Sequence, residues 1–174
     1  ISSAEGYEED VMGATMDAYL NGFEDPRRAV FFALSSNGNY RGLRNGHKNG
    51  DIFKGDEGLS KPNIQQGTPY IWMTAAEVFF LRAEGALKQW DMKGTPEALY
   101  KSGIRASFEQ HGVKNVENYL VSTKVPARYP GFKASPSAPA PSDITVVWNT
   151  SSTKKQLEQI ITQKWIAMLS LIHI

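Results

Sequence analysis

Residues 68–112 read TPYIWMTAAEVFFLRAEGALKQWDMKGTPEALYKSGIRASFEQHG, and this stretch decides the fold. Apolar residues recur at helical spacing on both sides of a four-residue break, DMKG. The stretch therefore predicts two antiparallel helices joined by a short turn. Such a hairpin has about the length of one tetratricopeptide-type unit.

Each predicted helix carries its own start signal. Thr74 supplies a hydroxyl cap, and Glu77, three residues later, completes a capping box. Thr95 caps the second helix, and Pro96 follows at the first helical position, where no N–H is needed. Gly112 is the expected stop.

The first predicted helix is apolar around most of its circumference. Its apolar positions form a broad arc (Ala75, Phe79, Phe80, Ala83, Ala86, Leu87, Trp90) and a second flank (Val78, Leu81, Gly85). A helix of this kind needs cover on more than one side. On the second helix one face is apolar, and Gly103 and Ser107 there allow another helix to approach closely. We expect further helices outside this stretch to complete the packing.

The remainder of the chain predicts a mainly α protein with long loops and at most a short strand or hairpin. The predicted elements are a helix within 6–21, a short apolar segment from Asp25 to Leu34, a weak helix over 113–120, a strand over 144–148 and a helix from Thr153 with Gln156 in a capping box. The last helix is expected to bury Leu157, Ile160, Ile161, Trp165 and Met168 and to expose Lys154, Glu158, Gln159 and Lys164. Glycine and asparagine predict a long loop over 35–67, and five of the nine prolines predict an extended segment over 125–142.

Composition excludes several classes of function. A formal net charge of +1 with scattered basic residues gives no basis for binding nucleic acid. The absence of cysteine excludes disulfides, thiolate metal sites and a cysteine nucleophile in these 174 residues. The sequence holds no apolar run of about 18 residues that would span a membrane.

No catalytic, metal or cofactor signature is found, so neither an enzyme nor a cofactor is expected. The zincin, dinucleotide, P-loop and nucleophile-elbow motifs are missing, and His47, His111 and His173 stand apart. Glu77 and Glu84 lie seven residues apart and suggest an acid/base pair. Capping by Glu77 and pairing of Glu84 with Lys88 explain the two carboxylates better.

The ends of the chain suggest a fragment. The sequence begins with Ile1 and shows no signal segment before the first predicted helix, so we expect it to start within a protein. Its last six residues, LSLIHI at 169–174, resemble the translation of a sequencing-library adaptor. Our hypothesis is that residues 1–168 are a C-terminal portion of a domain and that 169–174 are artefact.

Five segments in order carry a resemblance to a known family. They are GYEEDVMGATMDAYLNGFEDPR (6–27), YRGLRNG (40–46), MTAAEVFFLRAEGALKQW (73–90), YKSGIRASFEQHG (100–112) and LEQIITQKWIAM (157–168). Together they are similar to the C-terminal half of the SusD/RagB-like outer-membrane lipoproteins. The resemblance implies a mostly helical fold with tetratricopeptide-type helix pairs and a loop-rich face.

The resemblance also implies a function and a location. Members of the family bind glycans, or less often other nutrients, at the cell surface and deliver them to a SusC-like TonB-dependent transporter of the outer membrane. They perform no bond chemistry, and a lipidated N-terminal cysteine, absent from this sequence, attaches them to the membrane. Ligand contacts vary across the family, so none is transferred to a position here.

Candidate ligand residues come from sugar chemistry. A sugar's C–H face stacks on an aromatic ring, while amides, carboxylates and guanidinium groups bond its hydroxyls. The candidates are Tyr40, Arg41, Arg44, Asn45, His47, Asp51 and Trp72. For YRGLRNG a purely structural loop remains an alternative. Trp72, which precedes a helix and could pack on its start, and Trp148 are both open between a structural and a ligand-binding role. Trp90 and Trp165 fall on apolar stripes, which predicts that both are buried in the core.

Three classes of function remain open at this point. The first is the glycan-binding lipoprotein just described. The second is a helical-repeat module that binds another protein and has no small-ligand site. The third, a glycoside hydrolase, needs two carboxyl groups that flank a cleft, and the sequence offers no convincing pair.

Overall fold

The computed structural model describes residues 10–46, 58–64, 71–133 and 135–169. Within these ranges the chain forms six helices and no β-strand, with only isolated β-bridges. The helices are α1 (Ala14–Gly22), α2 (Arg28–Phe31), α3 (Ala75–Leu87), α4 (Pro96–Gln110), α5 (Val116–Leu120) and α6 (Thr153–Ala167). The prediction of a mainly α fold is confirmed.

The chain divides into two compact units. The first unit comprises Ile1–Pro69 and Val125–Asp143 and contains α1 and α2. The second comprises Tyr70–Lys124 and Ile144–Ile174 and contains the other four helices, α3 to α6. The predicted helical hairpin is therefore the centre of the second unit.

The hairpin begins and ends where local chemistry predicts. The Thr74 hydroxyl oxygen accepts a hydrogen bond from the Glu77 N–H at 3.0 Å, and the Thr95 hydroxyl oxygen accepts one from the Ala98 N–H at 3.2 Å. Pro96 opens α4. Gly112 lies just beyond the C-cap residue of α4 with a φ of +64°, which suits glycine. Both predicted caps are confirmed.

The core of the second unit lies where α3, α4 and α6 meet. Each of these three helices contacts the other two, and α5 packs on α4. The apolar face of α4 is buried as predicted, and the main core side chains are Phe80, Ala83, Leu99, Tyr100, Ile104, Phe108, Ile160 and Ile166.

The prediction that Trp90 is buried is wrong. Its side chain is 62% exposed, and Val78 and Leu81 on the second flank of α3 are 40% and 50% exposed. Helices α4 and α6 cover the side of α3 that carries Ala76, Phe80 and Ala83. No described element covers the opposite side. Trp165 is half-buried, so that prediction holds only in part.

The predicted strand over 144–148 does not form. Ile144 and Val146 are buried, but the described residues offer this segment no partner strand. Side chains satisfy its backbone instead: the Tyr100 hydroxyl donates to the Val146 carbonyl at 2.8 Å, and Gln159 Nε2 donates to the Thr145 and Val147 carbonyls at 2.8 and 2.7 Å. The β-branched residues of this segment therefore indicated burial and not pairing in a sheet.

Two expectations for α6 need correction. Ser152, not Thr153, is the cap residue, and its hydroxyl oxygen accepts from the Lys155 N–H at 3.3 Å. Gln159 is buried although it was expected to face water, whereas Ile161 is exposed. Gln159 turns inward because it bonds the irregular segment 145–149, where its Oε1 also accepts the Asn149 N–H at 3.0 Å.

In the first unit, α1 starts at Ala14 rather than near residue 6, and residues 1–9 lie outside the described residues. Buried Asp25 and Arg27 form an ion pair at 2.6 Å next to α2. The described residues of the proline-rich segment form no helix, but the prediction that it lies extended across the surface is wrong: the segment folds back on itself through antiparallel bridges between Tyr129 and Ala138 and between Phe132 and Ser135.

Candidate functional site

The segment from Tyr40 to Gly46 begins as a tightly fixed loop. Every polar backbone group from the Tyr40 carbonyl to the Leu43 carbonyl makes a hydrogen bond. Ser60 bonds both the N–H and the carbonyl of Arg41, and Leu43 exchanges bonds with Met12 and Ala14. This part of the loop is therefore held in one conformation by the residues around it.

Two side chains of α1, Asp17 and Asn21, form hydrogen bonds with the backbone of the loop. The Asp17 carboxylate accepts the Gly42 N–H at 2.7 Å and the Asn21 amide at 2.7 Å. The same Asn21 nitrogen donates to the Tyr40 carbonyl at 2.9 Å. Burial raises the pKa of the Asp17 carboxyl, while the bonds from Gly42 and Asn21 oppose the rise.

Gly42 is required by close packing. A Cβ at this position would lie 2.6 Å from the Gly13 carbonyl oxygen, so no larger residue fits without backbone movement. The buried Tyr129 hydroxyl donates to the Gly42 carbonyl at 2.9 Å. The loop and the proline-rich segment thus share one set of hydrogen bonds within the first unit.

The side chains of Tyr40 and Arg41 are half-buried and have partners. The Arg28 guanidinium carbon lies 5.2 Å from the centroid of the Tyr40 ring, and that of Arg41 lies 5.4 Å from the centroid of Phe132. Sequence reasoning missed Arg28 and Phe132, for which no local signal exists. The polar pair Asp17 and Asn21, spaced i,i+4 on an otherwise apolar helix, was a signal that could have been used.

Arg44 and Asn45 are more exposed than the residues before them. Both are exposed, and the described part of the chain gives neither side chain a hydrogen-bond or ion-pair partner. Gly46 follows with a φ of +86°. The fixed segment thus ends in two side chains that can bond sugar hydroxyls or an anionic group.

The other predicted ligand residues are His47, Asp51 and Trp72. His47 and Asp51 lie outside the described residues. Trp72 belongs to the second unit, where it precedes the Thr74 cap, and its side chain is 88% exposed. An indole this exposed is free to stack on a sugar ring, which is compatible with the predicted role.

Residues 10–46, 58–64, 71–133 and 135–169 contain no cluster of three or more His, Asp or Glu side chains that could hold a metal ion. Glu84 accepts a hydrogen bond from Lys88 at 2.7 Å, the pairing expected from the sequence, and this bond lowers its pKa. None of the helices in these ranges is long and apolar enough to cross a membrane.

Comparison with known proteins identifies relatives over nearly the whole chain. The family model described as "SusD-like: Susd and RagB outer membrane lipoprotein" matches residues 1–171. No curated protein matches the sequence. Solved structures of SusD homologues do match, and they show the same helical fold.

Three of these structures illustrate the extent of the similarity. A SusD homologue from Bacteroides thetaiotaomicron is 40% identical, with a TM-score of 0.86 over 92% of this chain and 36% of its own. One from Bacteroides vulgatus is 34% identical, with a TM-score of 0.87 over 95% and 36%. A chitin-binding SusD homologue from Flavobacterium johnsoniae is 35% identical, with a TM-score of 0.79 over 95% and 36%. The chain therefore spans little more than a third of each relative.

Proposed function

Since this chain belongs to the SusD-like family of outer-membrane lipoproteins, we propose that the full-length protein binds a glycan or another nutrient without changing it chemically. The bound molecule is then delivered to a partner TonB-dependent transporter. The chitin-binding relative supports the choice of a glycan as ligand. The protein acts at the cell surface, held to the outer membrane by an N-terminal lipid anchor outside this sequence.

The arrangement at Arg44 and Asn45 carries this proposal. A rigid backbone from Tyr40 to Leu43 leads directly to two exposed polar side chains. Neither side chain makes a hydrogen bond or an ion pair with a described residue. Fixing the adjoining backbone before the ligand arrives reduces the conformational entropy lost on binding. A guanidinium and an amide bond neighbouring hydroxyls in pairs, which suits an oligosaccharide.

The remaining ligand residues are proposed with separate roles. Tyr40 and Arg41 contribute mainly by fixing the loop, because their side chains already pack on Arg28 and Phe132. Trp72 offers a stacking surface in the second unit. His47 and Asp51 follow Asn45 in sequence and complete the proposed polar set.

Affinity electrophoresis of the full-length protein tests the proposal. The gels contain glycol chitin, starch, xylan or no polysaccharide, and bovine serum albumin is the non-binding reference. We expect at least one polysaccharide to retard the protein without being depolymerised. Migration equal to the reference on every gel would reject the glycan, and release of reducing sugar would reject the non-catalytic role.

Delivery to a transporter is tested separately. The full-length protein, carrying an affinity tag, is purified from detergent-solubilised outer membranes. We expect a TonB-dependent β-barrel transporter to copurify in about equal amounts. Recovery of the tagged protein alone, although it still binds polysaccharide, would remove the delivery step and leave the binding function standing.

A further inference from the structure

Four asparagines of this chain are followed directly by glycine: Asn21, Asn37, Asn45 and Asn49. In such a pair the backbone nitrogen of the glycine can attack the side-chain carbonyl carbon of the asparagine, because glycine has no Cβ to block the approach. A new nitrogen–carbon bond closes a succinimide ring, the bond to the side-chain nitrogen breaks, and ammonia leaves. Water then opens the ring at either carbonyl and gives aspartate or isoaspartate. Asn49 lies outside the described residues, so the structure compares the other three pairs.

The fold holds Asn21 in an unreactive arrangement. Its side-chain nitrogen donates to the Asp17 carboxylate at 2.7 Å and to the Tyr40 carbonyl at 2.9 Å, and its side-chain oxygen accepts from Arg28 at 3.1 Å. Gly22 is the last residue of α1, so its N–H belongs to the hydrogen bonds of that helix. Attack on Asn21 would have to break these bonds first, and the fold therefore protects this pair.

Asn37 is exposed, but the glycine after it is restrained. The Gly38 N–H donates to the Ser35 carbonyl at 2.9 Å. The glycine nitrogen must give up its proton before it attacks, so this hydrogen bond has to open first. The Asn37 amide nitrogen also lies against Gly58, 2.9 Å from the point where a Cβ of residue 58 would stand. The fold therefore protects this pair in part.

Neither restraint applies to Asn45. Its side chain is exposed and makes no hydrogen bond with any residue that the structure describes. Gly46 is exposed at a turn, and within the same ranges its N–H has no acceptor. The hydrogen bonds that fix the loop end at the Leu43 carbonyl, two residues earlier. Asn45 thus combines an accessible amide carbon with a backbone nitrogen that no described residue restrains.

We propose that Asn45 is a deamidation site and that its conversion weakens ligand binding by the loop. Aspartate or isoaspartate at this position accepts hydrogen bonds only, so the loop loses the amide donor beside Arg44 and gains a negative charge. Isoaspartate also adds a carbon atom to the main chain, which changes the path of the backbone after Arg44. The effect on binding rests on the function proposed above, whereas the reaction itself does not.

Peptide mapping of the full-length protein tests the reaction. The protein is incubated in mildly alkaline buffer with and without urea, and samples are then digested with trypsin at slightly acidic pH. Trypsin cuts after lysine and arginine, so Asn37, Asn45 and Asn49 fall in separate peptides, 29–41, 45–48 and 49–54. Fragment mass spectra locate the modified residue in each peptide and give its rate of deamidation.

The rate in urea divided by the rate in native buffer measures the protection that the fold gives each residue. We expect Asn45 to react at nearly the same rate in both buffers. Asn37 should react at least about threefold more slowly in native buffer, the effect of one net hydrogen bond, and Asn21 more slowly still. Protection of Asn45 that equals or exceeds that of Asn37 would overturn the proposal.

Affinity electrophoresis tests the consequence for binding. Wild type, Asn37→Gln and Asn45→Gln are run before and after the incubation, on the polysaccharide that retards fresh wild type. Glutamine deamidates slowly because the attack would close a larger ring. We expect incubation to reduce the retardation of wild type and Asn37→Gln in proportion to the converted fraction of residue 45, and to leave that of Asn45→Gln at its starting value. Fresh Asn45→Asp should be retarded as weakly as fully converted wild type.

The outcomes separate this proposal from the function on which it partly rests. Undiminished retardation of wild type with residue 45 converted would overturn the effect on binding, as would an equal loss in Asn45→Gln. If no polysaccharide retards even the fresh protein, the proposed function fails, while the peptide map still decides whether Asn45 reacts.

Discussion

The ring of Phe80 fills the space that a side chain at Gly103 would need. A Cβ on residue 103 would stand 2.8 Å from two carbon atoms of that ring. Phe80 is on α3 and Gly103 on α4, and both are fully buried. The close contact between the two helices of the hairpin therefore depends on the absence of a side chain at this position, as the sequence predicted.

Replacing Gly103 with alanine should destabilise the second unit. The methyl group forces the Phe80 ring to move in a packed core, which costs about 1–3 kcal/mol. Alanine's better helix propensity returns about 1 kcal/mol, so we expect a net loss of up to about 2 kcal/mol in the free energy of unfolding, measured by urea denaturation. Ser102→Ala, on the same helix, is the control. A Gly103→Ala variant more stable than wild type, by the full gain in helix propensity, would contradict the steric argument.

Replacing Gln159 with leucine should lower the free energy of unfolding, although the sequence predicted an exposed side chain at this position. The amide bonds three backbone groups of segment 145–149, and leucine leaves all three without this partner. We expect a loss of about 1–3 kcal/mol in the free energy of unfolding, because the half-buried Thr145 carbonyl and Asn149 N–H lose this partner. The Val147 carbonyl still accepts a hydrogen bond from the Thr145 hydroxyl at 3.0 Å. Gln110→Leu, at an exposed position of α4, should change stability little. Similar losses for both variants would refute the role of Gln159.

The buried Asp17 carboxyl should make stability depend on pH in a defined direction. Its pKa is raised by burial in the folded state, so the folded protein holds this proton more tightly than the unfolded chain does. The contribution of Asp17 is then greatest below the unfolded pKa of about 3.8 and is lost as pH rises through the folded pKa.

The free energy of unfolding of wild type and of Asp17→Asn is measured by urea denaturation at a series of pH values, from below about 3.8 upward. The difference in unfolding free energy, wild type minus variant, should fall as pH rises above about 3.8 and then become level. Asparagine does not titrate, so other carboxyl groups cancel in the difference. A difference that rises with pH would show that the hydrogen bonds from Gly42 and Asn21 outweigh burial.

Removing the two exposed polar side chains of the loop should weaken ligand binding without unfolding the protein. For the double variant Arg44→Ala/Asn45→Ala we expect at least about a tenfold loss of affinity for the polysaccharide that retards the wild type, since a single lost interaction of about 1.4 kcal/mol has that effect. Lys154→Ala/Gln110→Ala, also at exposed positions, removes the same kinds of group elsewhere. Equal affinity of the two double variants would exclude Arg44 and Asn45 from the site.

Start and stop signals at the hairpin were readable from the sequence because they act over three or four residues. Thr74 and Thr95 bond N–H groups three residues away, and Pro96 needs no partner. The apolar face of α4 was equally readable, since its periodicity reports burial directly. The family resemblance was confirmed by the match over residues 1–171.

Trp90, Gln159 and segment 144–148 were misread for a common reason. Periodicity shows that a residue is apolar or polar, but it does not show which neighbours reach it. Trp90 is exposed because α4 and α6 cover the other side of α3, and Gln159 is buried because an irregular segment needs its amide. In the loop, Tyr40 and Arg41 were chosen for the chemistry of their side chains alone, and the partners that those side chains contact, Arg28 and Phe132, are distant in sequence.

The sequence by itself determined the helical hairpin, its caps and the membership of a family, because these follow from local hydrogen bonding and from residue order. Only the tertiary structure decided which side of α3 is covered, and which loop residues are fixed and which are exposed. Those outcomes depend on contacts between segments far apart in the chain, such as Asp17 with Gly42 and Tyr100 with Val146. Such contacts leave no local pattern in the sequence. A buried polar group needs a hydrogen-bond partner, but nothing near it in the sequence shows which distant residue supplies that partner.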